Sequence, residues 1–217
     1  MNAVIIFVKY PAEGNVKTRL GKTLGVKFAV RFYKAMAENI FQVCLSLPKE
    51  EYDIIVFYDK DDETGPVRDW IPPGFLIHLQ EGSDLGDKMK NAFKLVFEKR
   101  YKKVTIIGTD CPDLNAGILL KSFRELSKKN IMIGPSTDGG YYLLGMNGFY
   151  PFLFNGIEWS STQVLTDTIN KVKANNLSMF MLPELIDIDT EQDLKDWLSK
   201  AKKENNMTEL INEYKIR

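Results

Sequence analysis

Apolar runs that do not alternate with polar residues set the strongest limit on how this chain folds. Residues 3–8 (Ala3, Val4, Ile5, Ile6, Phe7, Val8) are apolar on both faces of any strand they form, so they belong in the middle of a parallel sheet covered on both sides. Residues 52–58 and 104–108 have the same character, and 75–79 form a shorter run. Between them apolar residues recur at helical spacing: Phe28, Phe32, Met36, Ile40, Val43 and Leu47, then Leu85, Met89, Ala92, Phe93 and Val96, then Leu119, Leu120, Phe123 and Leu126. Strand followed by helix, repeated, builds βαβ units. The prediction is an α/β protein of three layers, with a mainly parallel central sheet and helices on both faces.

After residue 130 the rhythm changes. Residues 131–134 and 141–145 read as strands separated by Thr137-Asp138-Gly139-Gly140, residues 160–174 as a helix, and 177–182 as a last apolar run. Asp189-Thr190-Glu191 opens an amphipathic stretch through Leu194, Trp197 and Leu198. The expected organisation is one domain over 1–198, followed by a charged, helical tail over 199–217. A chain of 217 residues is ordinary for a single domain.

Charge excludes some partners. Lys plus Arg and Asp plus Glu both number 29, which gives no electrostatic case for nucleic acid or an anionic membrane. The first apolar run has no basic segment before it and breaks at Lys9 and Pro11, so neither a targeting segment nor a membrane span is expected. Cys44 and Cys111 read as reduced thiols, consistent with a cytoplasmic protein.

Ligands of such sheets sit at the carboxyl ends of the strands, and four loops there carry chemistry. Pro11-Ala12-Glu13-Gly14-Asn15-Val16-Lys17-Thr18-Arg19-Leu20 leaves the first strand and enters a helix, an arrangement that grips anions. Gly14 permits close approach, Lys17 supplies a mobile point charge, and Arg19 can fork onto phosphate oxygens. The pattern is neither G-x-G-x-x-G nor a Walker A loop. Asp110, in Gly108-Thr109-Asp110-Cys111-Pro112-Asp113, ends a buried strand where a carboxylate needs a partner. A divalent cation shared with substrate phosphates suits it. Asp113 reads as the cap of the next helix.

Further loops have two readings each. Thr137-Asp138-Gly139-Gly140 is either a plain hairpin turn or the place where Asp138 acts on the acceptor as base or orienting carboxylate. Asp189 is either a helix cap completed by Gln192 or a second metal ligand. Gly86, after Ser83-Asp84, either lets a base or ribose approach the backbone or lies in a helix-start loop capped by Ser83 or Asp84. His78, the single histidine, reads as structural. Trp159, Phe152 and Phe154 read as core packing before acceptor lining.

These motifs together resemble a known family. Residues 7–20, Leu85-Gly86, Gly108-Thr109-Asp110-Cys111-Pro112, residues 135–145, Trp159-Ser160-Ser161-Thr162 and Asp187-Ile188-Asp189-Thr190 are similar to those of a bacterial family of predicted A-type-fold glycosyltransferases associated with arsenosugar biosynthesis. That family belongs to the nucleotide-diphospho-sugar transferase superfamily, with the molybdenum-cofactor and phospholactate guanylyltransferases. The resemblance spans roughly residues 3–198. It implies phosphate-gripping roles for Lys17 and Arg19. It implies metal ligation by Asp110 and Asp189, with Mg²⁺ or Mn²⁺ as cofactor. The candidate substrate-binding positions are Lys9, Gly14, Lys17, Arg19, Gly86, Asp110, Gly139 and Gly140, and Asp138 is the candidate catalytic carboxylate.

Two departures stand out. The paired glycines of the G-x-G-x-R nucleotidyltransferase loop are absent, and Asp110 and Asp113 are too far apart for a D-x-D motif. The leading expectation is glycosyl transfer from a nucleotide sugar to a small-molecule acceptor. The alternatives are nucleotidyl transfer from a nucleoside triphosphate, guanylyl- or cytidylyl-like, and nucleotide binding without catalysis.

Overall fold

A computed structural model describes residues 1–59, 64–200 and 206–213. Seven strands form one sheet: β1 (Asn2–Val8), β2 (Tyr52–Tyr58), β3 (Leu76–Leu79), β4 (Val104–Ile107), β5 (Ile131–Pro135), β6 (Tyr141–Met146) and β7 (Met179–Met181). Their order across the sheet is β3-β2-β1-β4-β6-β5-β7. β1 pairs in parallel with β2 and β4, β2 with β3, and β5 with β7. Only β6 runs against its neighbours β4 and β5. β1 is thus central, as its unalternating apolar run requires.

The two faces of β1 feed two cores. Val4, Ile6 and Val8 face one side and pack with Ile40, Phe41, Leu119 and Phe123. These come from α2 (Val26–Leu45) and α5 (Ala116–Glu125). Ala3 and Ile5 face the other, with Met89, Phe93 and Val96 of α4 (Leu85–Glu98) and Val172 of α6 (Val164–Ala174). A third cluster joins α1 (Thr18–Leu24), α2, α7 (Glu191–Lys200) and α8 (Asn206–Glu213). Phe28, Phe32 and Trp197 are buried there, as are Met207, Leu210 and Ile211 near the C-terminus. Each large apolar side chain taken from water contributes about 1.5–3 kcal/mol. Gly25, at φ 92, separates α1 from α2 in a backbone region that suits glycine. No helix among the described residues is long and apolar enough to cross a membrane.

Two local expectations are corrected. α6 begins at Val164 and not near residue 160, because residues 160–163 form turns and Ser160 has a positive φ of 67. α5 is capped by Asn115, whose carbonyl oxygen accepts from the Ile118 N–H at 3.1 Å. Asp113 instead accepts from the Trp197 indole N–H at 3.0 Å. An unforeseen helix, α3 (Thr64–Trp70), carries buried Val67 onto the first core face.

Candidate active site

Parallel pairing fixes where the polar loops meet. β1 and β4 run side by side with Ile6 opposite Ile107, so the loops that follow them leave from the same edge. β5 and β7 point the same way. The segment after β7 then folds back along that edge. The Leu185 N–H donates to the Pro135 carbonyl at 3.1 Å, and the Ile188 N–H donates to the Asp110 carbonyl at 3.1 Å. These two bonds bring Asp187 and Asp189 against Asp110.

At the centre stands Lys17. Its Nζ lies 2.7 Å from Asp110 Oδ1, 2.8 Å from Asp189 Oδ1 and 3.7 Å from Asp187 Oδ1. Only 3% of its side chain is exposed. The sequence suggested a mobile point charge; the structure holds it among three carboxylates. Lys17 also takes a left-handed conformation, φ 46 and ψ 45, at the N-cap of α1, which turns its side chain inward. Burial pulls its pKa down, but Asp110, Asp187 and Asp189 outweigh burial and hold it well above the usual lysine value. It therefore stays an ammonium.

Three carboxylates against one ammonium leave an excess of two negative charges. Burial first, then the Asp110 carboxylate, push Asp187 up to about 7 despite the pull of Lys17. Burial, then Asp187 and Asp110, also raise the Cys111 thiol well above its ordinary value, which leaves it unreactive. Asp110 Oδ1 and Asp187 Oδ1 are buried without a hydrogen bond. The Lys17–Asp110 contact at 2.7 Å is an ion pair.

Arg19, one residue into α1, is exposed, as are Lys9 and Gly14. Gly14 has φ 79 and open space around it. Tyr33, on α2, was not foreseen. Its hydroxyl accepts from the Lys9 N–H at 2.9 Å and lies 3.4 Å from Thr109 Oγ1, tying the loop after β1 to the loop after β4. Burial, then Asp110, raise its pKa to about 12. Buried Gln80 also escaped the sequence reading. Its amide donates to the carbonyls of Val8 at 3.2 Å and Phe57 at 2.9 Å, where β1 and β2 end. Neither residue carries a motif; only the packing reveals them.

Asp138 is exposed in the turn between β5 and β6, and its Oδ1 accepts from Ser136 Oγ at 2.6 Å and the Gly140 N–H at 3.0 Å. The hairpin reading is therefore present, with the carboxylate fixed by it. Gly139 has φ 89, and a Cβ there would collide with the Thr162 carbonyl, so the position requires glycine. Asp138, Thr137, Ile186, Asp193, Asp196 and Lys200 line a cavity of about 230 Å³. The capping box on α7 uses Thr190 and Asp193, not Asp189 and Gln192. Asp193 Oδ2 accepts from the Thr190 N–H at 2.7 Å, and Thr190 Oγ1 accepts from the Asp193 N–H at 3.2 Å. Asp189 is left to face Lys17. α4 is capped by Asp84. The backbone approach at Gly86 is taken by the Trp159 indole, which stacks on Phe154 and lies where a Gly86 Cβ would. His78 stacks on Phe57 in β3, a structural position.

With this geometry in place, comparison with known proteins places the chain. A family described as "Uncharacterized protein conserved in bacteria (DUF2064)" matches residues 22–161, more than half of its length. The chain belongs to this family. A crystal structure of a proposed nucleotide-diphospho-sugar transferase from Desulfovibrio desulfuricans G20 is 32% identical. The match covers 98% of this chain and 95% of that one, with a TM-score of 0.92. This family member thus has the nucleotide-diphospho-sugar transferase fold. Rv0371c of Mycobacterium tuberculosis H37Rv, solved in complex with manganese, is similar at TM-score 0.57 and 12% identity, over 93% of this chain and 100% of that one. The 4-diphosphocytidyl-2C-methyl-D-erythritol synthase of Anaerococcus prevotii DSM 20548 is similar at TM-score 0.57 and 14% identity, over 91% and 98%. At such identities the likeness is one of fold. A search of curated proteins by sequence gave no match.

The donor set of the cluster suits a hard divalent cation. All three side chains offer carboxylate oxygens, and two of those oxygens are buried without a hydrogen bond. Among the described residues no three His, Cys, Asp or Glu side chains converge tightly enough to hold a metal unaided. A cation of the Mg²⁺ type takes one or two carboxylates and completes its shell with water and substrate phosphate.

Proposed function

We propose that this protein is a metal-dependent transferase that takes a nucleotide-sugar donor and passes the sugar to a small-molecule acceptor. The supporting observation is the meeting of Asp110 and Asp189 beside the Lys17–Arg19 loop at the carboxyl edge of β1 and β4. Carboxylates for a cation and basic groups for a diphosphate stand next to each other there.

In this reading Asp110 and Asp189, with Asp187 beside them, hold Mg²⁺ or Mn²⁺ against the diphosphate. The cation supplies charge compensation for the departing nucleoside diphosphate. Arg19, exposed at the start of α1, forks onto phosphate oxygens and stabilises the same developing charge. Gly14 lets the loop backbone approach the phosphates, with Lys9 alongside. Asp138, its Oδ1 already fixed by Ser136 and Gly140, orients the acceptor or takes its proton. The cavity beside it has room for a small acceptor.

A second reading, nucleotidyl transfer with release of pyrophosphate, is favoured by one observation. Asp113 is turned away to Trp197, so the acidic pair comes from two distant segments and not from one D-x-D loop. Product analysis tests both. Incubated with nucleotide sugars or triphosphates, Mn²⁺ and candidate acceptors, the protein should release nucleoside diphosphate under the first reading. Pyrophosphate release would transfer the case to the second.

A further inference from the structure

Lys17 occupies an odd position for a residue in an anion-gripping loop. Arg19 and Lys9 of the same region are exposed, whereas the Lys17 ammonium is buried and touches carboxylates at 2.7 and 2.8 Å, with a third at 3.7 Å. An ammonium ringed by oxygens at these distances imitates a bound metal cation. Asp110 Oδ1 and Asp187 Oδ1 are buried and have no hydrogen bond to any other group, so the ammonium alone competes for their lone pairs.

We propose that Lys17 stands in for the divalent cation: when that cation enters between Asp110 and Asp189 it displaces the ammonium, which then swings onto the phosphates of the nucleotide. This rests on the metal–diphosphate reading above and adds an order to it. A second cation on the same oxygens is opposed by repulsion from the ammonium, which is strong in a part-buried site. The lysine's flexible four-carbon stem lets its head move while the backbone stays. Its positive charge is retained, so the displaced head needs a new anion, and the phosphates gripped by Arg19 are the natural one. Without those phosphates the metal must expel an ammonium that has nowhere to go, so metal binds weakly alone. With them, each ligand tightens the other, and the coupling is reciprocal.

The test is Mn²⁺ binding by the full chain, read from the loss of the free-ion electron paramagnetic resonance signal. Wild type, Lys17→Gln and the control Lys22→Gln, an exposed change on the same helix, are titrated without any phosphate present. Lys17→Gln should bind Mn²⁺ at least tenfold more tightly than wild type, and Lys22→Gln should differ less than twofold. Equal or weaker binding by Lys17→Gln overturns the proposal. Losing the ammonium leaves three carboxylates together, so Lys17→Gln should melt early, and Mn²⁺ should raise its melting temperature more than it raises wild type's. A variant that stays unfolded in Mn²⁺ also overturns it. Repeating the titration with inorganic pyrophosphate separates the layers. Wild type should then gain affinity for Mn²⁺, while Lys17→Gln gains less. If neither protein binds Mn²⁺ with or without pyrophosphate, the metal reading itself falls. If both bind equally, only the exchange falls.

Discussion

Asp187 is the residue whose charge the fold most opposes. Its folded pKa is raised to about 7 by burial and by Asp110, while an unfolded Asp titrates near ~3.9. The folded state therefore holds this proton more tightly than the unfolded one. The stability it contributes is fully present below about pH 4 and is lost as pH rises towards 7. Asp187→Asn removes that loss. Urea midpoints measured from pH 4 to 8 should show the variant gaining on wild type across this window and then running parallel to it. A constant offset would contradict the assignment. Tyr33 makes a second residue-scale case. Tyr33→Phe removes the acceptor of the Lys9 N–H and should cost ~1–2 kcal/mol in urea unfolding, with the helix content unchanged. The sequence showed Lys17 and Asp110 separately, because each follows a buried strand. It could not show that they pair, since that needs β1 and β4 to lie side by side, and Asp187 and Asp189 join them only through the fold-back of residues 185–189.

Elements were more legible than contacts. β2 matches its predicted run at both ends, because its centre, Ile54 to Tyr58, is apolar or aromatic and buried throughout. α3 was hidden because Thr64-Gly65-Pro66 reads as a turn, yet Pro is tolerated in the first turn of a helix, where its missing N–H has no partner to lose. Likewise the cap of α7 was assigned one residue early. Asp189 and Thr190 are both good caps by type, and only the reciprocal Thr190–Asp193 bonds decide between them. Thr190→Ala should destabilise the protein by ~1 kcal/mol, measured by urea unfolding. It should also loosen the segment that carries Asp189 and thus weaken Mn²⁺ binding. Unchanged Mn²⁺ binding would mean that Asp189 is positioned by other contacts.

At the scale of the whole molecule, the sheet order gathers the polar loops. β1 and β4 lie adjacent and parallel, β5 and β7 share their direction, and the loops after all four converge on one edge. The antiparallel β6 was expected as a strand, and its hairpin with β5 places Asp138 at this same edge. Helices on both faces bury the sheet and leave that edge open. Rhythm in the sequence was enough for the layers. Strand order was not legible, because apolar runs specify burial and say nothing of which strand lies next to which. The account's central claim is that this edge binds a nucleotide's phosphates through a divalent cation held by Asp110. Ligands that bind only the folded state raise its melting temperature. The direct measurement is a thermal-shift series of nucleotide sugars and nucleoside triphosphates, with and without Mn²⁺, on wild type and Asp110→Ala. The account predicts a nucleotide shift in wild type that requires Mn²⁺ and is abolished in Asp110→Ala. A shift of equal size in the variant, or one indifferent to the metal, would contradict it.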